Sequence, residues 1–443
     1  MKKKTGIYIH IPFCKSKCVY CDFLSARPKD DDQIKRYISS LAEEIREKAE
    51  MIPEGLKTVD SVFFGGGTPT LLDAGELIFI LEELRKSFEI TEDAEITTEC
   101  NPGMVGRKDC HEGEADVKHG EQKEYFEKLR AAGVNRISLG LQSASDSELK
   151  ALGRIHKFQD FKNSFAAARA AGFENINADI ISAIPGQTIE SFRETLKLVT
   201  ELGPEHISCY SLILEEGTRL FEHLEEFPPL PDEDTEREMY HLAREFLKEK
   251  GYEQYEISNF CRRVTKPEAS VLYGNPLAGN GNTYGNNTGC HKRMEDGANR
   301  EQGFMQESSG DYRCRHNLGY WERAVYFGFG AGSAGFDGRV RYKNVSDTEE
   351  YIKKPGSKED ILQREVLTKK DAMAEFMFLG LRKTEGVSGK VFFDSFGVTM
   401  EAVYGETLEA QVKQGLLEKT KEGYALTGKG TDVSNSVMAE YIF

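Results

Sequence analysis

The sequence predicts an α/β protein built on parallel strands, with a smaller domain at its C-terminal end. Two observations carry this. From Gly6 to about Leu212, short apolar runs alternate with amphipathic helical stretches, giving six strands in all. Parallel strands joined by crossover helices need both sheet faces covered, which demands an α/β barrel or an open doubly wound sheet. From about Thr368 the pattern changes to helices followed by a short alternating ribbon. A chain of 443 residues is also long for one core, in keeping with one large domain and at least one smaller one.

The strands are expected at Gly6–Ile11, Thr58–Phe64, Ala94–Cys100, Arg136–Leu141, Asn175–Ser182 and His206–Leu212. Between them, Gln33–Glu50 repeats Ile34, Tyr37, Ile38, Leu41 and Ile45 at helical spacing. Further helices are expected over Ala74–Ser87, Glu121–Ala132, Phe158–Ala171 and Ile189–Leu202. The run Pro228-Pro229-Leu230-Pro231-Asp232 breaks the chain before a helix at Glu233–Lys250. Residues 1–225 therefore read as the strand–helix domain, 226–367 as a flanking region and 368–443 as the small domain. In the last, helices at Asp371–Leu381 and Leu408–Leu417 precede a ribbon at Lys419–Leu426, a winged-helix-like order. That shape allows a DNA-binding reading, but the local charge is mixed and shape alone does not fix function.

Two stretches interrupt this order. Residues 104–120 hold Cys110, His111 and His119 among many acids, and read as a solvated loop more than a metal site. Residues 261–313 crowd Gly and Asn together, too long for an ordinary loop, and read as a mobile excursion or lid.

Chemistry concentrates in Tyr8-Ile9-His10-Ile11-Pro12-Phe13-Cys14-Lys15-Ser16-Lys17-Cys18-Val19-Tyr20-Cys21-Asp22-Phe23, where three cysteines follow the first strand at x3 and x2 spacing. Three soft thiolates on one loop can hold three irons of a cuboidal iron–sulfur cluster, leaving a fourth iron open to a small ligand. A structural zinc ion would need a fourth protein ligand, for which His10 is the nearby candidate. Other polar residues fall at or near strand ends: Gly65-Gly66-Gly67-Thr68-Pro69, Glu99, Gln142, and Asp179 inside an apolar run. A carboxylate buried there needs a partner, and Arg154 is one source of charge.

Composition narrows the remaining classes. The chain is 39% hydrophobic and 30% charged, ordinary for a soluble globular protein. A net charge of −16 disfavours a nucleic-acid surface. No run approaches twenty apolar residues, so no membrane span is expected. The N-terminus lacks the apolar stretch of a signal peptide. Nine cysteines, six of them scattered outside the loop, suit a reducing compartment, and a cytoplasmic location is expected.

The run CKSKCVYC resembles the CxxxCxxC signature of the radical S-adenosylmethionine (radical SAM) superfamily. With its YIHIPF and YCDF flanks it is similar to the branch containing the anaerobic coproporphyrinogen III oxidases and their haem-binding relatives, the HemW family. The resemblance covers roughly 1–260 and 313–443. It implies a partial (β/α)6 barrel with a small C-terminal domain, and a [4Fe-4S] cluster on Cys14, Cys18 and Cys21. In that superfamily the open iron binds S-adenosylmethionine (SAM), and an electron from the cluster cleaves it to a 5′-deoxyadenosyl radical. By resemblance the SAM pocket is Tyr8, Tyr20, Gly66, Gly67, Thr68, Glu99, Gln142, Arg154 and Asp179, with Tyr20 lying against the adenine. Arg313-Cys314-Arg315-His316-Asn317-Leu318-Gly319-Tyr320-Trp321 contains a run similar to the HNxxYW motif of HemW, which implies haem binding with His316 as a ligand. The residues alone leave two readings open, a haem-iron ligand flanked by aromatics or a core aromatic pair beside an exposed histidine. Relatives commonly carry a histidine after the later Gly-Ala-Gly, where this chain has Ser333.

The resemblance thus implies a haem chaperone delivering haem to an acceptor protein. An electron donor such as flavodoxin or ferredoxin is implied if SAM is cleaved, and peripheral association if the acceptor is membrane-bound. The alternatives are an oxygen-independent coproporphyrinogen III oxidase or another radical SAM enzyme acting on a tetrapyrrole. The oxidases usually carry a further cysteine where this chain has Phe23, so oxidase activity is not expected. No catalytic residue is assigned beyond the cluster and the SAM site.

Overall fold

The structure, a computed structural model, describes residues 5–106, 119–263, 311–354 and 361–442. Most of 104–120, with Cys110 and His111, and most of 261–313 lie outside the described residues. Two compact units divide the chain, Met1–Arg262 with Tyr312–Phe443, and Arg263–Asp311. The first holds every element described below.

In chain order these are β1 (Thr5–Ile11), α1 (Asp31–Met51), β2 (Thr58–Gly66), α2 (Ala74–Ser87), β3 (Glu89–Cys100), α3 (His119–Ala131), β4 (Arg136–Gln142), α4 (Asp146–Ala151), α5 (Phe158–Ala170), β5 (Ile176–Ser182), α6 (Ile189–Leu202) and β6 (His206–Ser211). Then follow α7 (Arg219–Glu222), α8 (Glu233–Glu249), the hairpin β7 (Tyr252–Glu256) and β8 (Asn259–Arg262), α9 (Arg315–Trp321), β9 (Val325–Phe329), β10 (Ala334–Phe336), β11 (Val340–Asn344), α10 (Thr348–Lys353) and β12 (Ile361–Val366). The C-terminal part has α11 (Lys369–Gly380), β13 (Val387–Ser388), α12 (Gly389–Phe396), α13 (Met400–Lys413), β14 (Leu417–Lys419), β15 (Gly423–Leu426), α14 (Gly428–Asp432) and α15 (Ser434–Ala439). Side-chain caps start several helices: Asp30 accepts from the Gln33 N–H, so α1 begins at Asp31, two residues before the expected Gln33, and Thr188 accepts from the Ser191 N–H before α6 at its expected start.

Strands β1 to β6 lie side by side in sequence order, all parallel. Without a reversal of order, every right-handed crossover travels the same way and the helices cover one face. α1 packs on α2, α2 on α3, α3 on α5, and α6 on α8. A doubly wound sheet would reverse its strand order and carry helices on both faces, so the chain forms the partial (β/α)6 barrel. β1 and β6 do not pair with each other. Instead β9 adds parallel to β1, followed by antiparallel β10, β11 and β12, while β8 adds antiparallel to β6.

Alternation along the strands separates two faces. Ile7, Ile9 and Ile11, Val62 and Phe64, Ile137, Leu139 and Leu141, and Ile176, Ala178 and Ile180 belong to the large hydrophobic core beneath the helices. Each fully buried Ile, Leu or Phe there contributes about 1.5–3 kcal/mol. The intervening positions carry Tyr8 and His10, Ser61, Glu95 and Glu99, Arg136, Ser138 and Gln142, Asn177 and Asp179, and His206, Ser208 and Tyr210. These face the barrel interior, which is therefore polar.

A second core joins Met373, Met377, Leu381, Phe392, Met400, Leu408, Tyr424 and Tyr441 around the three-stranded β13–β15–β14 ribbon. The expected helix at Leu408–Leu417 is the second half of α13, which bends at Tyr404 (φ −122°, ψ 17°) and ends at Lys413.

Candidate functional site

The three cysteines sit on a loop fastened on every side. Beyond β1, the Ile11 carbonyl accepts from the Gly67 N–H at 2.8 Å and the Phe13 carbonyl from the Thr68 N–H at 2.7 Å. The Cys14 N–H donates to the Ala26 carbonyl at 3.0 Å, closing the loop at its base. At its tip, Val19 bonds Leu152 and Leu220 through its backbone. A Cβ on Gly67 would stand 2.5 Å from the Phe13 oxygen, and one on Gly66 (φ +109°) would stand 2.6 Å from the His10 ring. These glycines let the end of β2 touch the base of the cysteine loop.

Cys14 is buried, while Cys18 and Cys21 are partly exposed. Burial pushes the Cys14 thiol up, and the Cys21 thiol up to about 11. A bound cation would reverse this, because it favours the thiolate. Among the described residues, the ligand atoms that gather within 4.8 Å of one another are those of the exposed group His223, Glu225 and Glu226. The three sulfurs therefore do not all lie within 4.8 Å of one another, whereas the ligands of a tetrahedral zinc site with Zn–S near 2.3 Å are about 3.8 Å apart. The His10 Nε2 lies 2.8 Å from the Leu24 carbonyl and its Nδ1 3.1 Å from the Tyr8 hydroxyl, so His10 is no fourth ligand. With His10 engaged elsewhere, the loop fits a multi-iron cluster better than a single zinc ion.

The strand-end residues named from the sequence converge beside this loop. Glu99, at the end of β3, accepts from the Gly66 N–H at 3.2 Å. Burial, reinforced by Asp179, pushes its carboxyl up to about 8. Asp179 accepts from the Asn177 amide at 2.7 Å and the Ser138 hydroxyl at 3.2 Å, and burial raises it too. Gln142 ends β4 with φ +74°, a strained conformation for this residue, and its Oε1 accepts from the Tyr210 hydroxyl at 3.3 Å. Tyr20 packs against the buried cluster of Leu152, Ile181 and Ile184, as does Leu212.

Arg154 lies between the cysteines and the strand ends. Its Nη1 donates to the Cys18 sulfur at 3.5 Å, and its Nη2 to the Gly140 carbonyl at 2.7 Å and the Asn101 Oδ1 at 2.8 Å. Its Nε is buried with no partner among the described residues. An unpaired buried donor beside the cysteines suits an anionic ligand group. Asn101 and Tyr210 were not singled out from the sequence. Their signal was the period-2 alternation in HISCYS, which turns Tyr210 inward, and the strand-terminal place of Asn101 in ECNPG.

The structure places His316 differently from an exposed side chain. It projects from α9 into the barrel and is 4% exposed. Its Nδ1 lies 3.2 Å from the Ser61 hydroxyl and its Nε2 2.9 Å from the Tyr320 hydroxyl. The ring stacks on Phe63 at 5.2 Å. Burial, with Arg136, lowers its pKa to about 3, so the imidazole is neutral. A neutral imidazole has one donor and one acceptor, and both are used. Glu95 fixes the start of the helix, accepting from the Arg315 and His316 N–H groups at 3.2 and 3.3 Å. The core aromatic pair separates as well: Tyr320 turns onto His316, whereas Trp321 lies under the Arg382 guanidinium at 4.4 Å. Iron ligation by His316 would require it to give up one of these two hydrogen bonds. Ser333 is likewise built in, donating to the Gly330 carbonyl and accepting from the Asn344 amide.

Comparison with known proteins places this geometry among relatives. Residues 8–199 match the radical SAM superfamily and residues 367–433 the HemN C-terminal domain. The chain is 31% identical over 447 residues to the "Heme chaperone HemW" of Lactococcus lactis, covering 100% of this chain and 98% of that one. It is 31% identical over 443 residues to the protein of the same name in Bacillus subtilis, covering 98% of each. Among solved structures, the coproporphyrinogen III oxidase HemN from Escherichia coli shares the fold, with a TM-score of 0.73 and 21% identity over 100% of this chain and 90% of that one. Among the described residues no helix is long and apolar enough to cross a membrane.

Proposed function

Because this chain belongs to the HemW family of the radical SAM superfamily, we propose that it is a haem chaperone, binding haem and delivering it to an acceptor protein. The observation that carries this reading is the whole-length likeness to proteins named as heme chaperones. We further propose that Cys14, Cys18 and Cys21 hold a [4Fe-4S] cluster whose open iron takes SAM. When bound, that pair supplies one-electron chemistry. An electron donor such as flavodoxin or ferredoxin is then needed if SAM is cleaved.

The chain's own residues have separable tasks in this reading. The backbone between Gly66 and Thr68 keeps the base of the cysteine loop against β2. Glu99 and Asp179 offer carboxyl groups to the cationic end of SAM, and Arg154 offers its Nε to an anionic one. Tyr8, Tyr20 and Gln142 frame the space between them. Haem is cargo, and its contacts are not assigned to His316, whose two nitrogens are engaged inside the barrel. Phe23 is 63% exposed next to the loop, where the oxidases usually carry a further cysteine.

The deciding experiment pairs a haem titration with an anaerobic assay containing SAM, an electron donor and coproporphyrinogen III. Haem binding without formation of protoporphyrinogen IX is expected. Vinyl-bearing product would overturn the chaperone reading in favour of an oxidase. Neither binding nor product would point to another radical SAM enzyme acting on a tetrapyrrole.

A further inference from the structure

Five residues from four separate regions of the chain form a continuous line of hydrogen bonds between two of the three cysteines. The Cys14 sulfur lies 3.4 Å from the Thr68 hydroxyl, which lies 2.7 Å from the Asn101 amide nitrogen. The Asn101 carbonyl oxygen lies 2.8 Å from Arg154 Nη2, and Arg154 Nη1 lies 3.5 Å from the Cys18 sulfur. Thr68 is 1% exposed, so water does not compete for its hydroxyl.

The direction of every bond follows from one residue. A guanidinium only donates, so the Asn101 oxygen must face Arg154 and its NH2 must face Thr68. The Thr68 oxygen then accepts from Asn101, leaving its single hydroxyl proton for Cys14. With Asn101 oriented this way, both ends of the line donate to sulfur. The Gly140 carbonyl holds the same Nη2 at 2.7 Å, so only Asn101 joins the guanidinium to the threonine.

We propose that Asn101 is a positioning residue that aims the Thr68 hydroxyl at Cys14 and the Arg154 guanidinium at Cys18, so setting the reduction potential of a cluster held there. The inference rests on the reading that these cysteines carry a [4Fe-4S] cluster. Reduction adds one electron to the cluster from an external donor and increases negative charge on its sulfurs. Donors aimed at those sulfurs stabilise the reduced form and raise the potential. In Asn101→Ala the threonine loses its donor and can turn its proton away from Cys14, while the guanidinium loses one of its two oxygen anchors.

The test is an anaerobic redox titration of the reconstituted protein, followed by the electron paramagnetic resonance signal of the reduced cluster, with iron and sulfide measured on the same samples. Asn101→Ala should load a normal cluster and move the midpoint to a more negative value by roughly a tenfold change in the reduction equilibrium, about 59 mV for one electron. Thr68→Val, which keeps the shape and removes only the hydroxyl, should shift it in the same direction. The double variant should shift it by less than the sum, since Asn101 acts partly through Thr68. A normally loaded Asn101→Ala with the wild-type midpoint overturns the inference and leaves the cluster reading intact. If Asn101→Ala does not load, an unshifted Thr68→Val overturns the inference and a shifted one supports it. A wild-type protein that takes up no cluster overturns both.

Discussion

Glu99 gives the sharpest quantitative test of the barrel interior. Its carboxyl is raised from 4.5 to about 8 by burial and by Asp179. At pH 7 the folded protein therefore holds a proton there that the unfolded chain has released. The sign follows directly: between pH 4.5 and about 8 the native state binds more protons, so rising pH removes stability throughout that window and no further above it. Moving the carboxyl from 4.5 to about 8 corresponds to a few kcal/mol at about 1.36 kcal/mol per pH unit, shared with the coupled Asp179 carboxyl. Glu99→Gln keeps the shape and cannot ionise. In the protein without cofactors, its stability relative to wild type should be nearly level below pH 5 and should grow in the variant's favour up to about pH 8. Denaturant melts of both proteins at half-unit pH steps measure that difference. A difference that stays constant from pH 5 to 9 would refute the burial argument and place Glu99 in contact with bulk water.

The same carboxyl should make SAM binding depend on pH. A cationic ligand favours the ionised acid, so affinity should rise by at most about tenfold per pH unit up to pH 8 and then level off. Calorimetry in buffers of different ionisation enthalpy should detect one released proton at pH 7, and Glu99→Gln should abolish it; equal proton release in both proteins would assign the proton elsewhere. Gly67→Ala should lower iron and sulfide uptake although all three thiols remain, because its Cβ meets the Phe13 oxygen at 2.5 Å and must push the loop aside, costing about 1–3 kcal/mol. Full uptake, about four irons and four sulfides per chain, would show that the loop yields freely. His316→Ala removes two buried hydrogen bonds and leaves a cavity, so unfolding should become easier by about 2–4 kcal/mol while the Soret band of added haem keeps its wild-type position. A shifted Soret band would show that His316 reaches iron.

What the sequence determined by itself was local. Three thiols within eight residues stay near one another whatever the rest of the chain does, so the cysteine loop could be read at once. The helical period of Ile34, Tyr37, Ile38, Leu41 and Ile45 and the expected span Ala74–Ser87 likewise depend on neighbours in the chain, and α1 and α2 follow them. The family likeness then supplied the barrel and the pocket residues, which local pattern could not. The tertiary structure decided three things. It chose barrel over doubly wound sheet, because strand order is a matter of which distant segments pair. It divided each strand into a core face and a polar interior face, which the alternation in RISLGLQ and HISCYS hinted at but an assumption of two-sided apolar burial concealed. It also set the partners of single polar side chains. From the residues alone an exposed His316 was one reading, yet it is buried because Ser61, Phe63 and Tyr320 surround it. Asn101 was not singled out from the sequence, and it links Thr68 to Arg154 across segments far apart in sequence. A hydrogen bond is directional and short, so its partners are fixed only when the fold has brought remote residues to within about 3 Å.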